Sequence, residues 1–197
     1  MIYLDNAATT LYKPRAVEQA VRRAMYGAAG YARGSYAAAS RAGELVYACR
    51  EQAAALFGVG EPERVIFTLN VPGIAGLAAG IAFVRAVTPA HIAGQERRLV
   101  HELARALSRE SKIECFAGKE QTGVLSFRVP GTPSEVLADM LSDEGVCTRA
   151  GLHCAPLAHR TAGTEDTGTV RLSLSFYSTA RQLEQAADKV CRLVKKL

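Results

Sequence analysis

Residues 168–179 read GTVRLSLSFYST, and the part from Val170 to Ser175 predicts a β-strand. It is the last strand of a pattern that begins near residue 112 and runs strand, strand, helix, strand, strand, helix. This order is typical of a small α+β domain with a mostly antiparallel sheet. The other members of the pattern are Ile113 to Phe116, Val124 to Val129, Pro133 to Leu141, Val146 to Thr148 and Ala180 to Leu197.

The preceding part of the chain predicts helices and one further strand. Apolar residues recur at helical spacing from Pro14 to Gly27, and again up to Gly58, with Ser35 as a candidate cap. VIFTL, residues 65–69, is short and apolar, which predicts a strand buried on both faces. The helix predicted from IAGLAAGIAFVRAV, residues 74–87, has little polar surface, so we expect other parts of the protein to cover it on all sides. An amphipathic helix begins at Pro89.

Composition indicates a globular protein and argues against several classes of partner. The 197 residues are 49% hydrophobic and 22% charged, and the net charge of +5 is spread along the chain, so we expect no nucleic acid partner. The weakly charged run of residues 65–84 is broken by Pro72, so we expect no membrane span. MIYLDNAATT lacks the features of a signal peptide, and the expected location is therefore cytoplasmic.

The five cysteines are odd in number and contain no C-x-x-C pair, so we expect neither a disulfide framework nor a metal site. One of them, Cys154, lies in the long loop RAGLHCAPLAHRTAGTEDTG, residues 149–168. A thiol flanked by His and Arg side chains tends towards the nucleophilic thiolate, although an inert thiol beside a solvated His is the plainer interpretation. The loop's His and Arg residues are Arg149, His153, His159 and Arg160, and Arg171 follows in the next strand.

Several strings resemble the cysteine desulfurases, which are enzymes of the class V aminotransferase family that depend on pyridoxal phosphate (PLP). The likeness extends along essentially the whole chain. It implies the small C-terminal domain of a fold-type I PLP enzyme, with an antiparallel sheet and flanking helices, preceded by N-terminal helices. The strings are LDNAATT, VPGIAGLAAGIAFV, VLSFRVPG, RAGLHCAPLAHRTAGT and GTVRLSLSFYST.

The resemblance also implies roles for individual residues. In the family, PLP holds L-cysteine, an enzyme thiolate takes its sulfur as a persulfide, and L-alanine results. By motif match the thiol is Cys154 and the arginine that binds the substrate carboxylate is Arg171. Asn6 and Ala7 lie in the loop that approaches the substrate, and His153, beside the thiol, is a further substrate-binding candidate.

Two departures from the family pattern are visible. Arg33 and Gly34 match an R-G-x-H element that lines the dimer-side pocket, but Tyr36 stands where His is usual. More importantly, VIFTLN joins directly at Asn70 and Val71 to a segment that follows the cofactor lysine in the family, and none of the six lysines has a neighbouring Ser-x-His.

The second departure predicts an internal deletion that removes the large central sheet domain together with the residues that hold PLP. We therefore expect no cofactor-binding residue and no bound PLP in this chain. The expected segments are residues 1–70 from the former large domain, residues 71–110 as connecting helices, and residues 111–197 as the small α+β domain with the cysteine loop.

Three functions remain open at this point. The chain is a cysteine desulfurase homologue that is inactive or vestigial on its own, because the PLP lysine is absent. Alternatively, Cys154 is a persulfide relay between a complete desulfurase and a sulfur acceptor protein. As a third alternative, the chain is a structural module that forms a homodimer or intertwined oligomer, since its apolar helix has lost its sheet.

Overall fold

The structure is a computed structural model, and it describes residues 1–31, 34, 36–68 and 70–197. Arg33, the predicted helix cap Ser35 and Leu69, the last residue of the predicted strand, lie outside the described residues. Within this part of the chain no single helix is long and apolar enough to cross a membrane. Two consecutive helices, Val71–Val87 and Pro89–Leu107, meet that requirement only when they are taken together, and only by length and composition.

The described residues form seven α-helices and five short strands, and the predicted α+β class is confirmed. The strands are β1 (Ile2–Tyr3), β2 (Glu114–Phe116), β3 (Val124–Arg128), β4 (Val146–Cys147) and β5 (Val170–Ser173). The helices are α1 (Arg15–Gly27), α2 (Ala37–Phe57), α3 (Val71–Val87), α4 (Pro89–Leu107), α5 (Ser134–Asp143), α6 (Pro156–Ala162) and α7 (Ala180–Val194).

The chain divides into two compact units, one of residues 1–11 and 90–197 and one of residues 12–89. This grouping differs from the three segments expected from sequence. The reason is that β1 pairs in parallel with β4, which ties the N-terminus to the C-terminal part. In addition, α4 contributes Leu99 and Leu103 to the same hydrophobic core as the C-terminal strands.

The first unit is built on an antiparallel sheet of order β2-β3-β5. Residues of β3 alternate between buried and half-buried, so Leu125 and Phe127 enter the core, where they are paired with Leu172 and Val170 of β5. Helices α4, α5 and α7 supply the rest of this core. The predicted strand at Val146 is present as β4, but it pairs with β1 outside the antiparallel sheet.

In the second unit α1 and α2 pack on α3. A methyl group added at Gly76 of α3 would lie 2.8 Å from Cγ2 of Val21, which shows that α1 and α3 approach closely there. The expectation that α3 is covered all round is wrong, because its Leu77 is 38% exposed. Two neighbouring helices can cover only part of the circumference of a third.

The buried strand predicted at residues 65–69 is also absent from the described residues, because positions 65–68 carry no strand pairing. Val65 and Phe67 pack partly against the core of α2 and α3, whereas Ile66 is 81% exposed. A strand requires a neighbour for its backbone hydrogen bonds, and the described part of this unit contains no other strand. Val65 and Phe67 therefore pack on α2 and α3 without forming a β-ladder.

Two glycines of α3 allow a matched test of this packing. Gly76→Ala places a methyl group against Val21 and should lower the free energy of unfolding by about 1–3 kcal/mol. Gly80→Ala meets nothing within 4 Å and should raise it by up to about 1 kcal/mol through helix propensity. Urea unfolding followed by helical circular dichroism measures both variants, and equal effects would contradict the close α1–α3 approach.

Candidate functional site

Strand β5 lies at the centre of the candidate site, because the backbone forms hydrogen bonds on both of its edges. On one edge it pairs with β3. On the other edge, Arg149 and Arg171 exchange backbone hydrogen bonds of 3.3 and 2.7 Å, and Ser173 donates its N–H to the Leu4 carbonyl at 2.7 Å. Val170 and Leu172 point into the core, so Arg171 and Ser173 share the opposite face of the strand.

Asp5 holds both arginines of this edge. Its Oδ1 lies 3.3 Å from Nη2 of Arg171, and its Oδ2 lies 3.4 Å from Nε of Arg149. The side chains of Asp5 and Arg171 are 16% and 17% exposed, which limits solvent screening, whereas that of Arg149 is 53% exposed. Two guanidinium groups share one carboxylate, so these three side chains carry a net charge of one positive unit.

Asn6 and Ala7 lie against Ser173, the last residue of β5. Nδ2 of Asn6 donates to the carbonyl oxygens of Ser173 at 2.9 Å and Tyr3 at 3.5 Å, and the Ala7 N–H donates to Oγ of Ser173 at 2.9 Å. Ala7 thus contributes through its backbone. Both residues contact Ser173, two positions after Arg171 in the sequence, and their role in substrate binding stays a prediction.

The cysteine loop has an unusual backbone around Cys154. His153 and Cys154 have φ angles of 51° and 59°, a left-handed conformation that non-glycine residues adopt at a cost. The loop is also less irregular than its sequence predicts, because Pro156–Ala162 forms the short helix α6. Cys154 itself is exposed, so its thiol is open to reactants.

His153 is held by Thr169, two residues before Arg171. Nε2 of the ring lies 3.1 Å from the Thr169 carbonyl oxygen and 3.2 Å from its Oγ1. Because a carbonyl only accepts, Nε2 carries the proton and Nδ1 keeps a lone pair. Nδ1 is buried and has no hydrogen-bond partner among the described residues.

Burial, followed by the positive charge of Arg171, lowers the pKa of His153, while its bond to Thr169 acts in the opposite direction. The imidazole is therefore neutral at pH 7. A histidine pKa that falls on folding contributes stability above the unfolded value of about 6.5, and this contribution is lost as the pH falls through the folded pKa.

The remaining loop candidates have structural partners. His159 is buried, and its Nδ1 is hydrogen-bonded to Oγ1 of Thr164 at 2.7 Å. The Thr164 hydroxyl donates to the His159 carbonyl at 3.4 Å. The His159 ring lies 5.8 Å from that of His153 between centroids. Arg160 pairs with Glu165 on the surface at 3.2 Å. These contacts connect α6 to the turn that follows it.

Sequence reasoning missed Asp5 and Thr169. Asp5 directly precedes Asn6 in LDNAATT, but nothing in the residue pattern indicates that its carboxylate reaches Arg171, 166 positions away. For Thr169, the sequence offers no indication of a role other than its position directly before the predicted strand. Within the described residues, no group of three or more His, Cys, Asp or Glu side chains could hold a metal ion.

The fold and the site together define an α+β protein with an exposed cysteine on a left-handed turn and an arginine pair joined by Asp5 at the edge of β5. The family model for class-V aminotransferases matches residues 2–70 and 68–186. The chain therefore belongs to the class-V aminotransferase family. The two matched stretches meet at residues 68–70, next to the predicted junction at Asn70 and Val71.

The relatives found by sequence are cysteine desulfurases. The chain is 32% identical over 120 residues to a probable cysteine desulfurase of Methanothermobacter thermautotrophicus, covering 59% of this chain and 30% of that protein. It is 33% identical over 141 residues to one of Pyrococcus abyssi, covering 69% and 34%. The chain thus spans about a third of the length of the curated relatives it matches.

Solved structures agree with this relation. The cysteine desulfurase of Thermococcus onnurineus matches with a TM-score of 0.61 and 31% identity, covering 69% of this chain and 34% of that chain. The desulfurase CsdA of Escherichia coli matches with a TM-score of 0.82 over 100% of this chain and 95% of that chain, at 15% identity, and shows the fold. The predicted relation to the cysteine desulfurases is confirmed.

Proteins of this kind hold PLP through a lysine, and neither the cysteine loop of residues 149–168 nor β5 contains one. Lys189 donates to the Glu144 carbonyl instead. The other lysines are Lys13 in the helical unit, Lys112 before β2, Lys119 in the β2–β3 loop, and Lys195 and Lys196 after α7.

The charge environment of His153 can be tested directly. Arg171→Gln should raise the pKa of His153, because it removes the nearby cation that disfavours the imidazolium form. Arg160→Gln removes a positive charge from the same loop but not one that acts on His153, and should leave its titration unchanged. NMR titration of the His153 ring measures the shift; an unchanged or lower pKa in Arg171→Gln would contradict the geometry.

Proposed function

We propose that this chain is a cysteine desulfurase-like sulfur carrier, in which Cys154 accepts sulfur as a persulfide from a complete cysteine desulfurase. It then passes the sulfur to an acceptor protein. The single observation that carries this proposal is the exposed Cys154 thiol on a left-handed turn, directly after His153, on which the positive charges of Arg171 and Arg149 act.

The other cysteines are less suited to the role. Cys49 is fully buried, and Cys115, Cys147 and Cys191 are partly buried. Burial raises the pKa of the Cys49, Cys115 and Cys191 thiols, which lowers their thiolate fraction at neutral pH. Attack on a sulfur donor is therefore expected at Cys154.

Desulfuration of L-cysteine by this chain alone is not part of the proposal. Breaking the carbon–sulfur bond in the family depends on PLP as an electron sink, and the cysteine loop of residues 149–168 contains no lysine for it. A persulfide relay needs only a reactive, accessible thiol. The proposal therefore uses the part of the family chemistry for which this chain has the residues.

The relay is tested by incubating the protein with an active cysteine desulfurase and sulfur-labelled L-cysteine. We expect label on Cys154, located by mass spectrometry of peptides, and its loss on reduction. Cys154→Ser should abolish labelling, whereas the matched control Cys147→Ser should keep it, because Cys147 is partly buried in β4. Absence of label from the unaltered protein would refute the relay.

The expected lack of PLP chemistry has its own test. The purified protein should be colourless, and addition of PLP followed by borohydride should leave no covalent adduct on the cysteine loop, because residues 149–168 contain no lysine. Absorption spectra and peptide mass analysis measure this. A near-ultraviolet or visible band that borohydride bleaches would overturn it.

Self-association is compatible with the relay, and we propose a homodimer or intertwined oligomer. Large apolar side chains of the helical unit are exposed, among them Tyr26 at 85%, Phe57 at 77% and Ile66 at 81%. Exposed apolar surface favours association. Sedimentation velocity that shows only a monomer would exclude it.

A further inference from the structure

Residues 65–68 have the side-chain alternation of a β-strand, although no strand lies beside them among the described residues. Val65 and Phe67 pack on the core of α2 and α3. Ile66 and Thr68, which alternate with them, are exposed, and Ile66 is exposed to 81%. The backbone of Val65 is extended, with φ and ψ angles of −84° and 116°. A burial pattern with a period of two is typical of a strand that covers a core with one of its faces.

The backbone of this segment has an open edge. The N–H and C=O groups of Ile66 and Thr68 have no hydrogen-bond partner in the described part of the chain, whereas the Val65 N–H donates to the Pro62 carbonyl at 3.0 Å. Because successive residues of a strand direct these groups to opposite edges, Ile66 and Thr68 present theirs on the same edge. An unpaired strand edge is a template for pairing with a strand of another chain.

The elements on either side of the segment limit which strand can pair with it. The 3₁₀ helix Pro62–Arg64 precedes the segment and α3 begins at Val71, so the open edge is short. A second copy of this chain offers an edge of the same length that ends at the same two elements. Antiparallel pairing around a two-fold axis lets both copies use the same patch of surface.

Charge favours the antiparallel arrangement of two copies. Residues 65–68 are uncharged, and Arg64, which directly precedes them, pairs with Glu61 of its own chain at 2.8 Å. Antiparallel pairing centred on Ile66 places Arg64 opposite the uncharged Thr68 of the partner subunit. Parallel pairing in register would instead place the two Arg64 side chains opposite each other, and like charges in that position destabilise a strand pair.

We propose that two copies of this chain associate through residues 65–68, which form an antiparallel two-stranded ladder across a two-fold axis at Ile66. The N–H and C=O groups of Ile66 bond to those of the partner subunit's Ile66, and the two exposed side chains cover each other. This inference rests on the self-association proposed above and names its interface. It does not depend on the sulfur-carrier function. A ladder of this length is small beside the roughly 1,000 Å² that a stable interface buries, so the dimer should dissociate on dilution.

The dimer is measured by sedimentation velocity over a series of protein concentrations. The unaltered protein should change from monomer to dimer as the concentration rises. Ile66→Lys should raise the dissociation constant at least about tenfold, because it removes an apolar contact and places like charges at the two-fold axis. The matched control Tyr26→Lys alters a side chain of α1 that is 85% exposed, and it should leave the dissociation constant unchanged. Circular dichroism verifies that both variants are folded.

A disulfide locates the two-fold axis independently. The Cα atoms of a hydrogen-bonded antiparallel pair are about 5.5 Å apart, which is within the range that a disulfide spans. The background for this test is Cys154→Ser, which removes the exposed native thiol. On it, Ile66→Cys should give a covalent dimer on oxidation, seen on a non-reducing gel, whereas Tyr26→Cys should stay monomeric.

The outcomes separate this interface from self-association in general. A monomer at every concentration would overturn both. A dimer with an unchanged dissociation constant in Ile66→Lys would overturn the interface alone, because the copies would then meet on another face. A covalent dimer from Tyr26→Cys, with none from Ile66→Cys, would overturn it in the same way.

Discussion

The hydrogen bonds between the first residues of the chain and β5 are the interaction on which the rest of this protein depends. The Leu4 carbonyl accepts from both the N–H and the Oγ of Ser173, at 2.7 and 3.2 Å. These bonds complete the free edge of β5, bring Asp5 to Arg171, and place Asn6 beside both. A contact between residues nearly 170 positions apart thus builds the fold and the candidate site at once.

Much of this arrangement could be predicted from local sequence. The amphipathic helix predicted to begin at Pro89 is present as α4, and its Leu99, Val100, Leu103 and Leu107 are buried. The pattern of strands and helices after residue 112 gave the correct class of fold, because its periodicities are local properties. Cys154 differs from the other cysteines in having His and Arg residues near it in the sequence, and it is also the one exposed cysteine of the five.

The wrong or missing predictions share one physical cause. In each case the pairing partner of the segment lies far away in the sequence or is absent from the described residues. Residues 65–68 have the composition of a buried strand, but composition cannot show that the described part of the unit around them contains no second strand. In the same way, nothing in Val146 reveals that its partner is Ile2 and that their strands run parallel. Asp5 was missed because its two guanidinium partners come from the other end of the chain.

The chemistry available to this chain follows from which groups remain together. Carbon–sulfur cleavage requires delocalisation of electrons left on carbon, for which protein side chains offer no substitute. Sulfur–sulfur exchange leaves the electron pair on sulfur, which stabilises it well, so a thiolate and a means of orienting the donor suffice. Cys154 supplies an exposed thiol on a left-handed turn, and Arg149 and Arg171 are linked through Asp5 at the edge of β5. The proposed relay therefore draws only on sulfur–sulfur exchange, for which Cys154 supplies the thiol.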